Sequence, residues 1–263
     1  MRSLHIGATG MLAQQTNVEV ISNNIANMNT TAYSRRRAEF HDLLYQNMRR
    51  VGAASSDSGT IVPSGVQLGL GVKTAAVYRI SEKGSLLNTD NTLDLALQGE
   101  GYFQVELPGD RGVGYTRDGA FQLSPTGDLV THDGYLVMPG INFPAQVIGV
   151  TINASGEVWV KIDGQVDQVN LGQLQLANFP NEAGLEAIGD NFFVESTASG
   201  APLLDVPGAL GFGTILQGFL ENSNVNVVSE ITELVSAQRA YEMNSKIITT
   251  SDQMMATINQ LKS

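Results

Sequence analysis

The sequence predicts an α+β fold in which long helices from the two ends of the chain pair and a β-rich region lies between them. All 8 prolines and 26 of the 28 glycines lie between residues 52 and 218. The flanking regions instead carry apolar residues at intervals of seven, as helices do when they bury one stripe against another helix. We therefore expect a discontinuous, coiled-coil-like helical domain and a central, mostly antiparallel β domain.

The first predicted helix spans residues 3–28. Its seven-residue column consists of Leu4, Met11, Val18 and Ile25. Several asparagines and threonines follow, and because their side chains compete for backbone hydrogen bonds, they predict that the helix ends near residue 30. Residues 33–50 are charged and mixed, with a short second helix suggested through Phe40, Leu43 and Leu44.

The last predicted helix spans residues 226–262, which contain neither glycine nor proline. Asn224 or Asn226 is the expected cap. Its first apolar column consists of Val227, Leu234, Tyr241, Ile248 and Met255, and a second one of Ala240, Ile247, Met254 and Leu261. Neighbouring helix positions are about 100° apart, so this apolar surface is wider than a two-stranded seam requires. We favour assembly with other molecules over packing of the helix onto the β region, because Gln238, Ser245, Asp252 and Asn259 occupy the other expected seam position.

The middle of the chain has the pattern of short strands. Turn signals recur at Asp118-Gly119, Asp133-Gly134, Ser155-Gly156 and Asp163-Gly164, which is typical of an antiparallel sheet, sandwich or partly open barrel. These patterns predict three regions. They are a helical domain of residues 1–32 and 222–263, an extended connection of residues 33–72 and 212–221, and a β domain of residues 73–211.

Charge and composition exclude several functions. The net charge of −11 disfavours nucleic-acid binding, which needs clustered lysine and arginine. Residues 1–50 hold six arginines and three acidic residues, whereas residues 51–263 hold nine basic and 23 acidic ones. This asymmetry either orients neighbouring subunits or is solvated surface. No apolar run approaches the length of a membrane span, and the polar residues near the N-terminus argue against a cleavable signal peptide.

The residues that carry enzyme chemistry show no convincing pattern. Cysteine is absent, and His5, His41 and His132 have no metal-ligand spacing. Gly99-Glu100-Gly101 lacks the third glycine of a dinucleotide-binding turn. We therefore expect neither a catalytic site nor a cofactor or metal. The remaining enzymatic alternative is a cell-wall hydrolase that uses the β domain, which an assay on purified peptidoglycan would detect.

Longer motifs at both ends resemble those of the flagellar basal-body rod and hook family. The N-terminal motif runs from Asn23 to Tyr33 (NNIANMNTTAY), and the C-terminal one from Gln217 to Val228 (QGFLENSNVNVV) with Ala237 to Lys246 (AQRAYEMNSK). In the middle, Asp94 to Phe103 (DLALQGEGYF) and Tyr115 to Phe121 (YTRDGAF) resemble its β-domain motifs. Matching motif residues are Asn24, Asn27, Asn29, Tyr33, Asn224, Gln238, Arg239, Tyr241 and Asn244.

The resemblance implies a structural subunit without enzyme activity. Within this family, the length of the chain and the segment of residues 46–64 resemble those of the distal rod subunit next to the hook. A proximal rod or hook subunit is the alternative. Such subunits form a hollow helical shaft that crosses the periplasm, transmits motor torque and conducts exported subunits. The terminal helices, including Leu261, would form its inner tube.

The same resemblance implies the partners and the route of export. The partners would be further copies of the chain, proximal rod proteins, the hook or its junction, and the periplasmic and outer-membrane bushing rings. Phe40 and Leu44 resemble the Phe-x-x-x-apolar element that the flagellar type III export gate reads, so export without signal cleavage is expected, with no membrane insertion. Ala32 stands where the family usually has glycine, and a left-handed backbone there would be strained.

Overall fold

The chain folds into two compact units, each built from separate stretches of sequence. A computed structural model describes residues 2–49, 65–109, 112–144 and 146–262. Unit 1 comprises Met1–Ala26, Arg36–Arg79 and Asn226–Ser263, and unit 2 comprises Asn27–Arg35 and Ile80–Val225. Residues 36–79, part of which the sequence assigns to a connection, thus fold with the terminal helices. Two helices and a β-rich middle confirm the predicted α+β class.

The helices and strands have the following bounds. The helices are α1 (Arg2–Ala26), α2 (Val227–Lys262) and a 3-10 turn (Glu182–Gly184). The strands of unit 1 are β1 (Arg36–Asp42), β2 (Tyr45–Arg49), β3 (Val66–Gly69) and β4 (Val72–Arg79). The strands of unit 2 are β5 (Leu86–Asn88), β6 (Leu95–Gln98), β7 (Tyr102–Glu106), β8 (Val113–Thr116), β9 (Phe121–Leu123), β10 (Leu129–Thr131), β11 (Val147–Ile152), β12 (Glu157–Ile162), β13 (Val169–Gln173), β14 (Leu176–Asn178), β15 (Glu186–Gly189), β16 (Phe192–Val194), β17 (Leu203–Asp205), β18 (Thr214–Gln217) and β19 (Phe219–Glu221).

Both predicted long helices form, and the cap of α2 is Asn226. Its Oδ1 accepts hydrogen bonds from the backbone N–H groups of Val228 (3.1 Å) and Ser229 (3.3 Å). These are two of the donors that a helix N-terminus leaves without an intrahelical partner. Asn224, the other predicted cap, lies in unit 2.

The short second helix predicted through Phe40 is wrong, because this segment forms β1. It pairs antiparallel with β4, Phe40 lies opposite Thr74, and a bulge separates Glu39 from Phe40. Pairing with a distant strand overrides the weak helical pattern of a short segment. The expected extended connection also contains a strand, since β3 pairs with β2. In the second predicted stretch, residues 212–221, β18 and β19 pair with β6 and β5. Residues 50–64 of the first stretch lie outside the described residues.

Unit 2 is built from antiparallel strands around one main apolar core. Its largest sheet has the order β15-β16-β8-β7-β14-β17, and a second sheet has the order β11-β12-β13. The predicted turns at Ser155-Gly156 and Asp163-Gly164 join β11 to β12 and β12 to β13. Phe103 and Phe121 are fully buried in the core and meet edge to face with ring centroids 5.1 Å apart.

Ala32 has the left-handed backbone that its position in the motif requires. Its φ is 54°, its N–H donates to the carbonyl oxygen of Glu221 (2.8 Å), and its side chain is buried. A Cβ crowds the following carbonyl in this conformation, which glycine avoids. The hydrogen bond holds the strained residue in place.

We expect Ala32→Gly to raise the free energy of unfolding of unit 2 by about 1 kcal/mol, because it removes this crowding. Trp159, the single tryptophan, lies in β12, so its fluorescence during urea unfolding reports on unit 2. The matched control is Ala187→Gly on an exposed strand, where glycine should destabilise. A variant at position 32 that is less stable than the wild type would contradict the strain argument.

Candidate assembly surface

The two terminal helices pack antiparallel within unit 1, and two glycines of α1 allow a close approach. A Cβ on Gly7 would lie 2.9 Å from Cγ1 of Ile248, and a Cβ on Gly10 would lie 2.9 Å from Nδ2 of Asn244. Real Cβ atoms do not approach other atoms this closely, so a larger residue at either position would force these side chains or the helices to shift. These are the only two glycines in either helix.

The predicted apolar columns lie beside the most deeply buried positions. Leu4, Met11, Val18 and Ile25 of α1 are half-buried, as are Val227, Leu234, Ile248 and Met255 of α2. The fully buried residues of the two helices are Gly7, Ala13, Ile21, Asn24, Glu230, Ala237 and Ser251. The other seam position of α2 is therefore occupied by Glu230, Ala237, Asn244 and Ser251. The expectation that the Gln238 series occupies it is wrong, since Gln238, Asp252 and Asn259 are exposed.

Asn24 of the N-terminal motif joins α1 to β1 and α2. Its Nδ2 donates to Oε2 of Glu230 (3.0 Å) and to the carbonyl oxygen of Arg36 (2.8 Å). Its Oδ1 accepts from the N–H of Arg36 (2.9 Å). The amide of Asn24 thus pairs with the N–H and the carbonyl oxygen of Arg36 and with a buried carboxylate. Because an amide has both donors and an acceptor, an asparagine is suited to this position.

A large apolar part of α2 remains uncovered. Tyr241 is 43% exposed, Ile247 48%, Met254 56% and Leu261 84%. Beside this stripe the two helices flank a groove of about 340 Å³. Its lining residues are Gln15, Val18, Glu19, Gln238, Tyr241 and Glu242. Arg239 lies next to the groove in sequence and is exposed.

The remaining motif residues near the chain ends lie in unit 2. Oδ1 of Asn224 accepts from the N–H of Arg35 (2.7 Å), and its Nδ2 donates to the carbonyl oxygens of Ile80 (3.2 Å) and Glu82 (2.7 Å). The carbonyl oxygen of Tyr33 accepts from the N–H of Asn224. Asn27 accepts a hydrogen bond from Thr30 (3.1 Å) and Asn29 is exposed. Asn224 therefore ties together three backbone segments.

The two residues of the export-gate-like element lie on either side of the C-terminal end of β1 in the sequence, Phe40 before it and Leu44 after it. Phe40 is half-buried within the strand, whereas Leu44 is 82% exposed between β1 and β2. The element is therefore part of an extended segment in the folded chain.

Two further motifs meet in unit 2 in a buried ion pair that the sequence did not reveal. Nη2 of Arg117 lies 2.8 Å from Oε2 of Glu221, and both side chains are buried. The Arg117 guanidinium also donates to the carbonyl oxygens of Gly99 and Gly101. Glu221 in turn accepts from the N–H of Gly84 (3.0 Å). These additional hydrogen bonds satisfy the other polar atoms of the two side chains, which is what allows a charged pair to be buried.

Burial raises the pKa of Asp118 above its ordinary value of 3.8, although hydrogen bonds from Ala120 and Asn191 act against this shift. A raised pKa contributes stability below the unfolded value, and this contribution is lost as the pH rises through the folded value. The carboxylate of Asp118 thus disfavours folding near neutral pH relative to acid pH.

We expect Asp118→Asn to become more stable relative to the wild type as the pH rises from about 4 to 7, since the amide does not ionise. Urea unfolding followed by Trp159 fluorescence at several pH values would measure this difference. Asp133→Asn is the control, because Asp133 is more exposed and lies in a neighbouring turn. A difference that stays constant with pH at position 118 would contradict the assignment.

The described part of the chain contains no group of three or more acidic or histidine residues placed to hold a metal ion. No helix there is long and apolar enough to cross a membrane. The geometry that stands out is instead a helix pair with an uncovered apolar stripe, joined in sequence to a β-rich unit. This is the architecture of a structural subunit that builds larger assemblies.

Comparison with known proteins gives the same class over the whole chain. Residues 4–33 match the model described as flagella basal body rod protein, residues 96–160 the flagellar hook protein FlgE/F/G D1 domain, and residues 216–261 the flagellar basal body rod FlgEFG protein C-terminal region. The chain is 57% identical to the flagellar basal-body rod protein FlgG of Caulobacter vibrioides over 263 residues, covering 100% of both chains.

Two further relatives are also flagellar basal-body rod proteins FlgG. The protein of Agrobacterium fabrum is 52% identical over 260 residues, with 99% of each chain covered, and that of Borreliella burgdorferi is 45% identical over 264 residues, with 100% of this chain and 99% of the relative covered. The chain belongs to the flagellar basal-body rod family represented by these FlgG proteins. The family consists of structural rod components and not of enzymes, as the sequence predicted.

Proposed function

We propose that this chain is a subunit of the distal rod, which assembles with further copies into a hollow helical drive shaft. In the proposed arrangement, the terminal helical domain (residues 1–32 and 222–263) pairs in a coiled-coil-like manner and forms the inner tube. The β domain (residues 73–211) faces outward. The shaft transmits torque from the motor to the hook, and exported subunits pass through its lumen.

The observation that carries this proposal is the uncovered apolar stripe of α2. Ile247, Met254 and Leu261 are spaced by seven on one face of the helix and are between 48% and 84% exposed. Tyr241, on an adjoining face, is 43% exposed, and α1 covers another face of the helix. Burying a large apolar side chain contributes roughly 1.5–3 kcal/mol. A regular stripe of such residues therefore favours association with neighbouring copies, and helices that bury it become more ordered on assembly.

A place in the distal rod also implies specific binding partners. We propose contacts with proximal rod proteins at one end and with the hook or its junction at the other, and with the periplasmic and outer-membrane bushing rings around the shaft. Export through the flagellar type III apparatus would use Phe40 and Leu44 while the chain is unfolded. Both side chains are accessible in the unfolded chain, although Phe40 is half-buried in β1 after folding.

The position along the rod can be tested with a short epitope inserted at the Asp163-Gly164 turn, where a Cβ on Gly164 would meet open space. Labelled antibody on isolated basal bodies should mark the rod section next to the hook in electron micrographs. Label near the inner membrane would favour a proximal rod subunit, and label beyond the outer ring a hook subunit. Absence of label from basal bodies would contradict the rod assignment.

We further expect that deletion of residues 46–64 changes the curvature or stiffness of the shaft and leaves export intact. Residues 46–49 belong to β2, an exposed strand of a two-stranded ribbon, while residues 50–64 lie outside the described residues. An exposed ribbon is suited to contacts between subunits and makes little contribution to a core. Rod shape by electron microscopy measures the effect, and the amount of exported protein is the control. Unchanged shape would contradict this expectation.

A further inference from the structure

The six-stranded sheet of unit 2 opens into a groove between β8 and β16. These strands pair at one position, Phe193 opposite Tyr115, whereas β7 and β8 pair at four positions. Next to the single pair lies a groove of about 440 Å³, which we call the Tyr115 groove. It is lined by Gly112, Val113, Tyr115, Glu186, Ile188, Val194 and Glu195.

The Tyr115 groove offers hydrogen-bond acceptors beside an apolar floor. Tyr115 is only 4% exposed and its ring meets Phe179 edge to face, with centroids 4.8 Å apart. Within the described residues its hydroxyl makes no hydrogen bond. The oxygen is not fully enclosed by protein and lines the groove, so it can bond to water or to a ligand there. Burial and the charge of Glu195 raise the pKa of Tyr115, so the phenol keeps its proton and its hydroxyl can both donate and accept a hydrogen bond.

Two carboxylates border this buried phenol. Glu186 and Glu195 are exposed and form no ion pair or side-chain hydrogen bond among the described residues. A long basic side chain fits this combination, because its aliphatic stem can lie on Val113, Ile188 and Val194 while its charged head reaches the carboxylates and the phenol oxygen. An anionic ligand would be repelled by the two carboxylates, and a purely apolar ligand would desolvate them without giving them a partner.

The charges of the two units indicate where the basic side chain comes from. Unit 2 contains 18 acidic residues and five lysines or arginines, whereas unit 1 contains ten lysines or arginines and eight acidic residues. Four cations of unit 1 make no side-chain hydrogen bond or ion pair within the described residues. They are Arg36, Lys73, Arg239 and Lys246. Complementary charges on different surfaces favour a head-to-tail contact, which repeats along an open helical assembly.

We propose that the Tyr115 groove holds the side chain of Arg36, Lys73, Arg239 or Lys246 from unit 1 of a neighbouring copy. This inference rests on the proposed rod function, because the neighbouring copy is the next subunit of the shaft. The groove thereby sets the register between copies through a charged contact, separate from the apolar stripe of α2.

A charge-neutral groove variant tests the proposal in assembled rods. Glu186→Gln with Glu195→Gln removes both carboxylates, and Asp163→Asn with Asp167→Asn removes two exposed charges from the β12–β13 turn of the same unit. We expect the urea concentration that disassembles half of the isolated rods to fall at least twofold for the groove variant and to stay at the wild-type value for the control. Equal values for the groove variant and the wild type, or an equal fall in both variants, would overturn the proposal.

Cysteine cross-linking provides a readout that does not depend on stability. The natural chain has no cysteine, so Ile188→Cys can be combined in turn with a cysteine in place of each of the four free cations. We expect at least one combination to give a disulfide between copies in rods under mild oxidation, while Asp163→Cys with the same partners gives none. If none of the four links to position 188, the groove has no such occupant, and the rod function stands. If the wild-type chain is missing from isolated rods, the proposed function and this inference both fail.

Discussion

Ile247→Asp stops rod assembly at the stage where this subunit is added and leaves unit 2 folded. Ile247 is 48% exposed on the uncovered stripe of α2, so aspartate there costs the folded chain little. In the proposed rod the same position is buried against a neighbouring copy, where an unpaired carboxylate is strongly unfavourable. Electron microscopy of basal bodies from a strain that carries only the variant should show truncated rods.

Position 247 gives a cleaner test than its neighbour Ile248, which faces Gly7 of the same chain. Aspartate at 248 would disturb the pairing of α1 with α2 as well as any contact between copies. Thr249→Asp is the matched control, because Thr249 is exposed and lies about 200° from Ile247 around the helix. The purified Ile247→Asp protein should keep the Trp159 unfolding transition of the wild type. Rods of normal length in the Ile247→Asp strain would disprove the inner-tube assignment.

Arg117→Met lowers the free energy of unfolding of unit 2 by about 3–5 kcal/mol, because it leaves the buried carboxylate of Glu221 without its cation. The side chains of both residues are less than a tenth exposed. The carbonyl oxygens of Gly99 and Gly101 also lose a donor. Urea unfolding followed by Trp159 fluorescence would measure the loss.

A double variant separates the loss of the pair from the loss of packing. Arg117→Met with Glu221→Met removes both charges together, and replacing a whole buried ion pair costs much less than breaking it. We therefore expect the double variant to be more stable than Arg117→Met alone. Lys83 serves as the comparison, because its ammonium contacts the carboxylates of Glu100 (2.9 Å) and Glu182 (3.5 Å) and is itself partly exposed. Lys83→Met should therefore lower stability by less than Arg117→Met does. A double variant no more stable than Arg117→Met would show that packing, and not the unpaired charge, causes the loss.

The elements with strong periodicity were predictable from sequence, whereas the contacts between distant residues were not. The periodic ends predicted α1 and α2 within two residues at most boundaries, and Asp-Gly and Ser-Gly pairs located turns of the β region. The segment around Phe40 has no clear period, and only its partner β4 makes it a strand. A local pattern contains no information about such a partner.

The buried polar contacts were also not predictable from local sequence patterns. The resemblance to the family singled out Asn24 and the motifs that contain Arg117 and Glu221, but not their partners. Asn24 and Glu230 are 206 positions apart, and Arg117 and Glu221 are 104 apart. The Tyr115 groove could not be foreseen either, because it depends on where two strands stop pairing. Gly7 and Gly10, the two glycines outside the glycine-rich middle, are a sequence feature that could have indicated a tight helix contact, but we did not predict it.

The antiparallel packing of α1 against α2 has a consequence for the order in which the protein is made. The strands β1 and β4 also contact α1, but α2 lies in the last segment of the chain. The contact between α1 and α2 therefore cannot form until almost every other residue has been synthesised. A chain that moves through a narrow channel with its N-terminus first meets the same delay. Unit 2 needs only residues 27–35 and 80–225 and can fold earlier. The contact between the two terminal helices is therefore the last one that a newly made chain can complete.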